Sequence, residues 1–136
     1  MLALLFWFLN INMNTELRIS ISNICEAKGS IYVALYDNKA DFLNTDKIRA
    51  KKIVPVNTKG TIDIAFLNLP EGSYSISCFH DVNGNGKLDT NFLGIPTEPY
   101  GFSNNARPKF RAPNWEETKF YLRNIGGTQA VRLEKW

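Results

Sequence analysis

The most constraining feature of this chain is an alternation of apolar and polar residues with a period of two. The alternation runs through residues 17–22, 31–36, 62–66 and 74–80. Successive side chains of a strand point to opposite faces of a sheet, so each segment predicts a strand that buries one face. The pattern therefore indicates an all-β chain.

Turn residues separate these segments and complete the prediction of a sandwich. Residues 57–60 and 69–72 are typical of tight turns, because Pro presets φ and Gly accepts a positive φ. About seven short strands separated by turns predict one antiparallel β-sandwich. A further strand is predicted for residues 53–56, and Pro55 indicates that it lies at a sheet edge or bulge. The last two predicted strands, residues 118–123 and 130–133, are joined across Gly126 and Gly127.

Two stretches break the alternation. Residues 37–52 predict a short helix or an ordered loop, with Asp37 or Asn38 as a cap. Residues 81–117 are longer than most loops, yet they carry more apolar residues than disorder favours. We therefore expect one long, ordered excursion that packs against the sandwich.

The composition is that of a globular protein. The chain has 136 residues, of which 44% are hydrophobic and 21% are charged, and this favours a single domain. The net charge of +3 is small and the basic residues are dispersed, without the Lys/Arg run that a phosphate backbone demands. We expect no nucleic-acid partner, and the sequence does not set the oligomeric state.

The chain begins with an apolar run over residues 1–9, which is too short to span a bilayer because a span takes about 20 residues. The run fits the apolar region of a secretory signal. A misassigned start codon and an N-terminal strand are the alternatives. We expect a leader over residues 1–14, one exported domain over residues 15–136, and no transmembrane span in the mature chain.

The two cysteines, Cys25 and Cys78, allow two interpretations. In an oxidising compartment they form a disulfide, which contributes about 4 kcal/mol through loop closure. Otherwise they are small buried apolar residues. The sequence leaves both interpretations open.

The segment from Asp81 to Asp89 is the sharpest local pattern. Its oxygen donors recur at alternate positions, and Gly86 stands where a tight calcium loop makes its sharp turn. Phe92 occupies the position of the expected bidentate Glu, so Glu98 completes the site only if the loop folds back. The candidate Ca²⁺ ligands are Asp81, Asn83, Asn85, Lys87 through its carbonyl, Asp89 and Glu98. The alternative is a plain turn, in which Asn and Asp side chains bond the local backbone.

A second pattern follows in residues 94–105, where aromatic residues alternate with amides and glycines. Such a stretch forms a platform for a sugar or a peptide, or it fastens a long loop to the core. The candidate ligand-binding residues are His80, Tyr100, Phe102, Ser103, Asn104 and Asn105.

Catalysis is the least favoured reading of this sequence. His80 is the only histidine, and its neighbour Asp81 points to the opposite face of a strand. The chain contains no nucleophile elbow, zinc-protease motif or phosphate-binding loop. We therefore expect no enzyme activity, and a small hydrolase centred on His80 and Asp81 ranks below the binding hypotheses.

Four segments together carry a family resemblance: residues 69–74, 80–91, 94–106 and 115–120. Over about residues 17–134 the chain resembles a bacterial family catalogued as domain of unknown function 2141. The resemblance implies a small exported protein of a Gram-negative bacterium, located in the periplasm or at the cell surface. It also implies an immunoglobulin-like or prealbumin-like sandwich, and it assigns no catalytic residues. We expect a binding or structural module with a glycan, a peptide or another envelope component as its partner.

Overall fold

The computed structural model describes residues 15–136, and the leader predicted for residues 1–14 lies outside them. Within the described residues the chain is all-β, with a single four-residue α-helix, α1 (Trp115–Thr118). The strands are β1 (Glu16–Ile24), β2 (Ser30–Tyr36), β3 (Ala50–Pro55), β4 (Gly60–Leu67), β5 (Gly72–Asp81), β6 (Tyr100–Phe102), β7 (Phe120–Leu122) and β8 (Gly127–Arg132). No helix in this part of the chain is long and apolar enough to cross a membrane.

The strands form the two sheets of a β-sandwich, which confirms the predicted fold class. One sheet has the order β4-β1-β8, and the other has the order β3-β2-β5-β6 with β7 paired to the start of β5. All pairs are antiparallel except β1 with β8, which is parallel. Between β7 and β8 the chain crosses from the larger sheet to the smaller one, where β8 pairs with β1 at the sheet edge.

The core lies where the alternating apolar residues of the two sheets meet. Leu17, Ile19 and Ile21 of β1 are fully buried, and every second residue of β2 and β5 is buried with them. This agreement with the period-two pattern follows from the pleat, which sends alternate side chains to opposite faces. The excursion over residues 81–117 is ordered, because β6 within it adds to β5.

Two predicted element boundaries differ from the structure. β3 begins at Ala50, three residues before the strand predicted for residues 53–56, and it forms the edge of its sheet as Pro55 predicts. The segment before it is the ordered loop of the two alternatives, with a 3₁₀ turn at Thr45–Lys47. Thr118 ends α1 instead of starting a strand, because Asn114 and Glu117 cap each other's backbone amides in a capping box.

The candidate disulfide between Cys25 and Cys78 is not formed in the structure. Cys25 is exposed after the end of β1, whereas Cys78 is buried in the core on β5, and both are free thiols. Burial raises the pKa of the Cys78 thiol to about 12. The second interpretation from the sequence, that of a buried apolar residue, therefore describes Cys78 but not Cys25.

Candidate functional site

The loop that follows β5 is organised by Asp81, whose side chain is only 1% exposed. Its Oδ1 accepts a hydrogen bond from the Asn85 amide at 3.2 Å, and its Oδ2 accepts one from the Gly86 amide at 2.9 Å. The Asp81 carbonyl also lies against Gly29, where a Cβ atom would come within 2.0 Å of it. The last residue of β5 therefore holds the turn in one conformation.

Glu98 folds back onto the start of the loop, as the calcium hypothesis requires. Its buried carboxylate accepts hydrogen bonds from the Val82 amide at 2.7 Å and from the Asp89 amide at 3.0 Å. These two bonds close the loop between residues 82 and 98, which are distant in sequence. Glu98 is thus brought to the loop by tertiary structure.

Asp89 lies between two amide side chains. The Nδ2 atoms of Asn85 and Asn83 donate to its two carboxylate oxygens, each at 2.6 Å. The hydrogen bond from Asn85, then that from Asn83, and more weakly the charge of Lys87, hold the pKa of Asp89 below its usual value. Asn85 Oδ1 in turn accepts from the Lys87 amide at 3.2 Å.

The donors around these carboxylates are N–H groups of the chain itself. Both oxygens of Asp81, Asp89 and Glu98 accept at least one such bond. Across residues 15–136, no three side chains among His, Cys, Asp and Glu gather as a metal site would require. Two further bonds, from the Asn85 amide to Asn83 Oδ1 and from the Lys87 amide to Asn85 Oδ1, are those of Asx turns, the alternative interpretation of this segment.

The candidate residues from Tyr100 to Asn105 divide into two groups. Ser103, Asn104 and Asn105 hold the backbone: Asn104 Nδ2 donates to the Lys119 carbonyl at 2.9 Å, and Asn105 Oδ1 accepts from the Arg132 amide at 3.0 Å. Both asparagines have positive φ, which suits Asn better than most residues. These three side chains therefore serve the fold.

Tyr100 and Phe102 instead line an open cavity of about 480 Å³ between residues 88–96 and residues 107–113. We call this cavity the apolar groove. The sequence patterns did not nominate its other walls, although the surplus of apolar residues in the long excursion was a signal for them. Its principal apolar side chains are Leu93, Ile95, Tyr100, Phe102, Phe110 and Trp136.

Two arginines provide the charge of the groove lining, in which no Asp or Glu takes part among the described residues. The Arg107 guanidinium stacks on the Tyr100 ring at 4.1 Å from its centroid and donates to the carbonyls of Tyr100 and Glu134. Arg111 is more exposed and pairs with Glu117 at 2.6 Å. The floor of the groove is thus aromatic and held by Arg107.

His80 lies outside the groove and is almost fully buried. Its Nε2 donates to the Lys28 carbonyl at 2.7 Å, and its backbone amide donates to the Pro99 carbonyl at 2.8 Å. The ring therefore ties the turn before β2 to β5. Its position gives it a structural task and separates it from Tyr100 and Phe102.

Comparisons with known proteins place the chain in a wider context. The family described as "Uncharacterized protein conserved in bacteria (DUF2141)" matches residues 19–129. No curated protein matches the chain. Among solved structures the chain is similar to that of a fimbrial assembly protein from Parabacteroides distasonis, with a TM-score of 0.45 and 11% identity. The similarity covers 90% of this chain and 53% of the other, so this chain spans about half of that protein's length.

Proposed function

The chain belongs to the bacterial family of uncharacterized proteins called domain of unknown function 2141, and we propose that it is an exported, non-catalytic module that binds an apolar ligand in its groove. The observation that carries this proposal is the cavity of about 480 Å³, which has the size and the apolar lining of ligand sites in other proteins. Apolar side chains remain exposed around this cavity, although burial would be more favourable for them, and exposed apolar patches mark interaction sites.

The lining favours an apolar ligand over a sugar. A sugar site needs several polar groups that converge on hydroxyls, whereas the polar side chains of this groove are mainly Arg107, Arg111 and the Tyr100 hydroxyl. Arg107 already donates to two carbonyl oxygens. The glycan hypothesis therefore has less support than one in which acyl chains or apolar side chains enter the groove.

Two further observations support the remaining parts of the proposal. The apolar run at residues 1–9 supports export, since it has the composition of a signal sequence. The hydrogen bond from the His80 ring to the Lys28 carbonyl supports a non-catalytic role, because the chain's single histidine is buried and bonded to the protein backbone. A hydrolase centred on His80 and Asp81 would need both groups to face a substrate.

The proposal is tested with the apolar fluorophore anilinonaphthalene sulfonate, titrated into the folded full chain. We expect saturable binding with about one site per chain. Leu93→Ser and Phe110→Ser should each weaken it by about fivefold, because each removes roughly 1 kcal/mol of apolar contact. Both side chains are exposed, so these changes leave the core intact.

Leu67→Ser and Ile125→Ser are the matched controls, because they remove exposed aliphatic residues that do not line the groove. They should bind the fluorophore like the wild type. Urea unfolding of each variant checks that the fold persists. Equal binding by all four variants would show that the groove does not bind the apolar fluorophore, and the proposed function would then fail.

Ca²⁺ binding by the loop is a second candidate, favoured by the return of Glu98 to the loop. Asp81 and Glu98 are buried carboxylates without a Lys or Arg partner among the described residues. The carboxylate and amide oxygens are the donors that a hard cation prefers. To ligate it, the Asn83 and Asn85 amides would have to rotate and present oxygen in place of the nitrogen that now bonds Asp89.

Thermal unfolding with EGTA and with millimolar Ca²⁺ tests this second candidate. A bound ion would raise the melting temperature in proportion to the logarithm of its concentration, and Asp89→Asn would abolish that rise. Mg²⁺ at the same concentration controls for ionic strength. An identical melting temperature in EGTA and Ca²⁺, with no heat of binding, would leave the loop as a structural turn.

A further inference from the structure

The apolar side chains around the groove do more than line it. Phe110 is 84% exposed, Leu93 is 68% exposed and Trp136 is 54% exposed, although all three contribute to the walls. Phe92, next to Leu93, is 95% exposed and does not line the groove at all. The apolar surface therefore protrudes from loop tips beyond the mouth of the cavity.

Three lysines are adjacent in sequence to residues of the groove lining. Lys87 precedes Leu88 of the groove wall, Lys109 precedes Phe110, and Lys135 precedes Trp136. All three lysines are exposed, and none forms an ion pair with a described carboxylate. We call these three residues the basic rim.

We propose that the loop tips and the basic rim dock this module on an anionic lipid bilayer, with Phe92 and Phe110 inserted among the acyl chains and the lysines among the headgroups. The inference rests on the proposed function and names its partner. Aromatic and aliphatic side chains beside snorkelling lysines are the composition of interfacial membrane contacts. Unpaired lysines around an apolar surface complement anionic headgroups, whose surface potential attracts basic residues.

The geometry favours a bilayer over a peptide held in the groove. A peptide of ordinary width in the cavity would contact Tyr100, Phe102 and Ile95, and it would leave Phe92 in water. A lipid surface is not confined to the cavity, so it also offers apolar contact to Phe92, which lies outside the groove lining. Phe92 therefore distinguishes the two occupants.

The test is co-sedimentation of the full chain with vesicles that contain equal parts of phosphatidylcholine and phosphatidylglycerol. Replacing the basic rim by Lys87→Gln, Lys109→Gln and Lys135→Gln should weaken binding on the order of a hundredfold, since each lysine near an anionic surface strengthens binding about fivefold. Vesicles of phosphatidylcholine alone and high salt should reduce wild-type binding in the same direction. Phe92→Ser should weaken vesicle binding by about tenfold while leaving fluorophore binding in the groove unchanged.

Matched variants control for charge and for apolarity. Lys39→Gln, Lys51→Gln and Lys59→Gln together remove three exposed lysines outside the basic rim, and Ile125→Ser removes an exposed apolar residue outside the groove. Both should sediment like the wild type. Residues 1–9 are common to every variant, so any attraction of that apolar run to lipid cancels in the comparison.

Two outcomes would overturn the inference. Equal sedimentation of the basic-rim variant and its control would show that the rim does not contact lipid. Unchanged vesicle binding in Phe92→Ser would show that the tips do not insert. If fluorophore binding still depends on Leu93 and Phe110 in either case, the proposed function stands and the groove serves an apolar segment of another protein.

Discussion

At the scale of single residues, the environment of each side chain decides its role more than its type does. Asp81 and Asp89 have the same chemistry and lie in the same loop, yet Asp81 is buried and bonded to backbone amides, whereas Asp89 is half-buried and bonded to side-chain amides. Cys25 and Cys78 differ in the same way.

Cys25 and Cys78 should differ in their reactivity toward a thiol reagent such as dithionitrobenzoate. In the native protein only Cys25 is accessible, because Cys78 is buried and its raised pKa of about 12 disfavours the reactive thiolate. We expect one reactive thiol in the native state and two in denaturant, and none in native Cys25→Ser. The absence of any free thiol in denaturant without a reductant would instead indicate a disulfide.

Asp89 should make the stability of the fold depend on pH in the acid range. The amides of Asn85 and Asn83 lower its pKa in the folded state, so the contribution of its carboxylate is present above the unfolded value of about 3.9 and is lost as the pH falls through the folded value. Asp89→Asn should lower the urea midpoint at neutral pH. The difference from the wild type should shrink as the pH is lowered below about 4, and a difference that persists in strong acid would contradict this assignment.

At the scale of elements, the excursion is held by short segments that bond one another. Ser103 is fully buried, and its Oγ accepts from the Ile76 amide of β5 at 2.9 Å and donates to the Thr118 carbonyl of α1 at 2.5 Å. The Thr118 hydroxyl donates to Ser75 Oγ at 2.9 Å. This set of buried hydroxyls fixes the turn after β6 and α1 to the centre of the larger sheet.

Ser103→Ala should therefore lower the free energy of unfolding by about 2–3 kcal/mol, because it leaves the Ile76 amide and the Thr118 carbonyl buried without a partner. Urea unfolding measures the loss. Ser73→Ala, which changes an exposed serine of β5, is the control and should cost less than about 0.5 kcal/mol. Equal midpoints for the two variants would show that the bonds of Ser103 contribute nothing net.

At the scale of the whole molecule, the two sheets meet closely where β6 lies against β8. A Cβ atom on Gly101 would come within 2.7 Å of the Arg132 carbonyl oxygen and 2.8 Å of a Val131 methyl group. The bridge between Tyr100 and Glu134 continues this contact. Since Tyr100 forms the floor of the groove, the packing of the two sheets sets the position of the site.

Gly101→Ala should destabilise the protein by about 1–3 kcal/mol, because the backbone carbonyl of Arg132 cannot give way as a flexible side chain does. It should also weaken fluorophore binding in the groove. The control is Gly127→Ala, whose added Cβ would meet only the Leu122 Cδ1 atom at 3.3 Å. A Gly101→Ala protein as stable as this control would contradict the close contact between the sheets.

The sequence by itself determined the sandwich and the family, because both depend on local order along the chain. Leu17, Ile19 and Ile21 face the core as their alternation predicts, and the pleat of a strand needs no distant contact to produce that pattern. The turn at Asp81 and the aromatic pair Tyr100 and Phe102 were likewise visible as local patterns. The sequence left the pairing of Cys25 and Cys78 open, since spacing along the chain carries no information about the exposure of Cys25.

Tertiary structure alone decided the parallel pairing of β8 with β1, the return of Glu98 to the loop and the assembly of the groove. Each brings together residues that are distant in sequence, as Tyr100 and Trp136 are on one groove wall. A period-two pattern indicates which face of a strand is buried. It does not indicate whether the neighbouring strand runs parallel or antiparallel, or which path a loop takes. The physical reason is that burial repeats along the backbone, whereas a site forms only where separate segments converge.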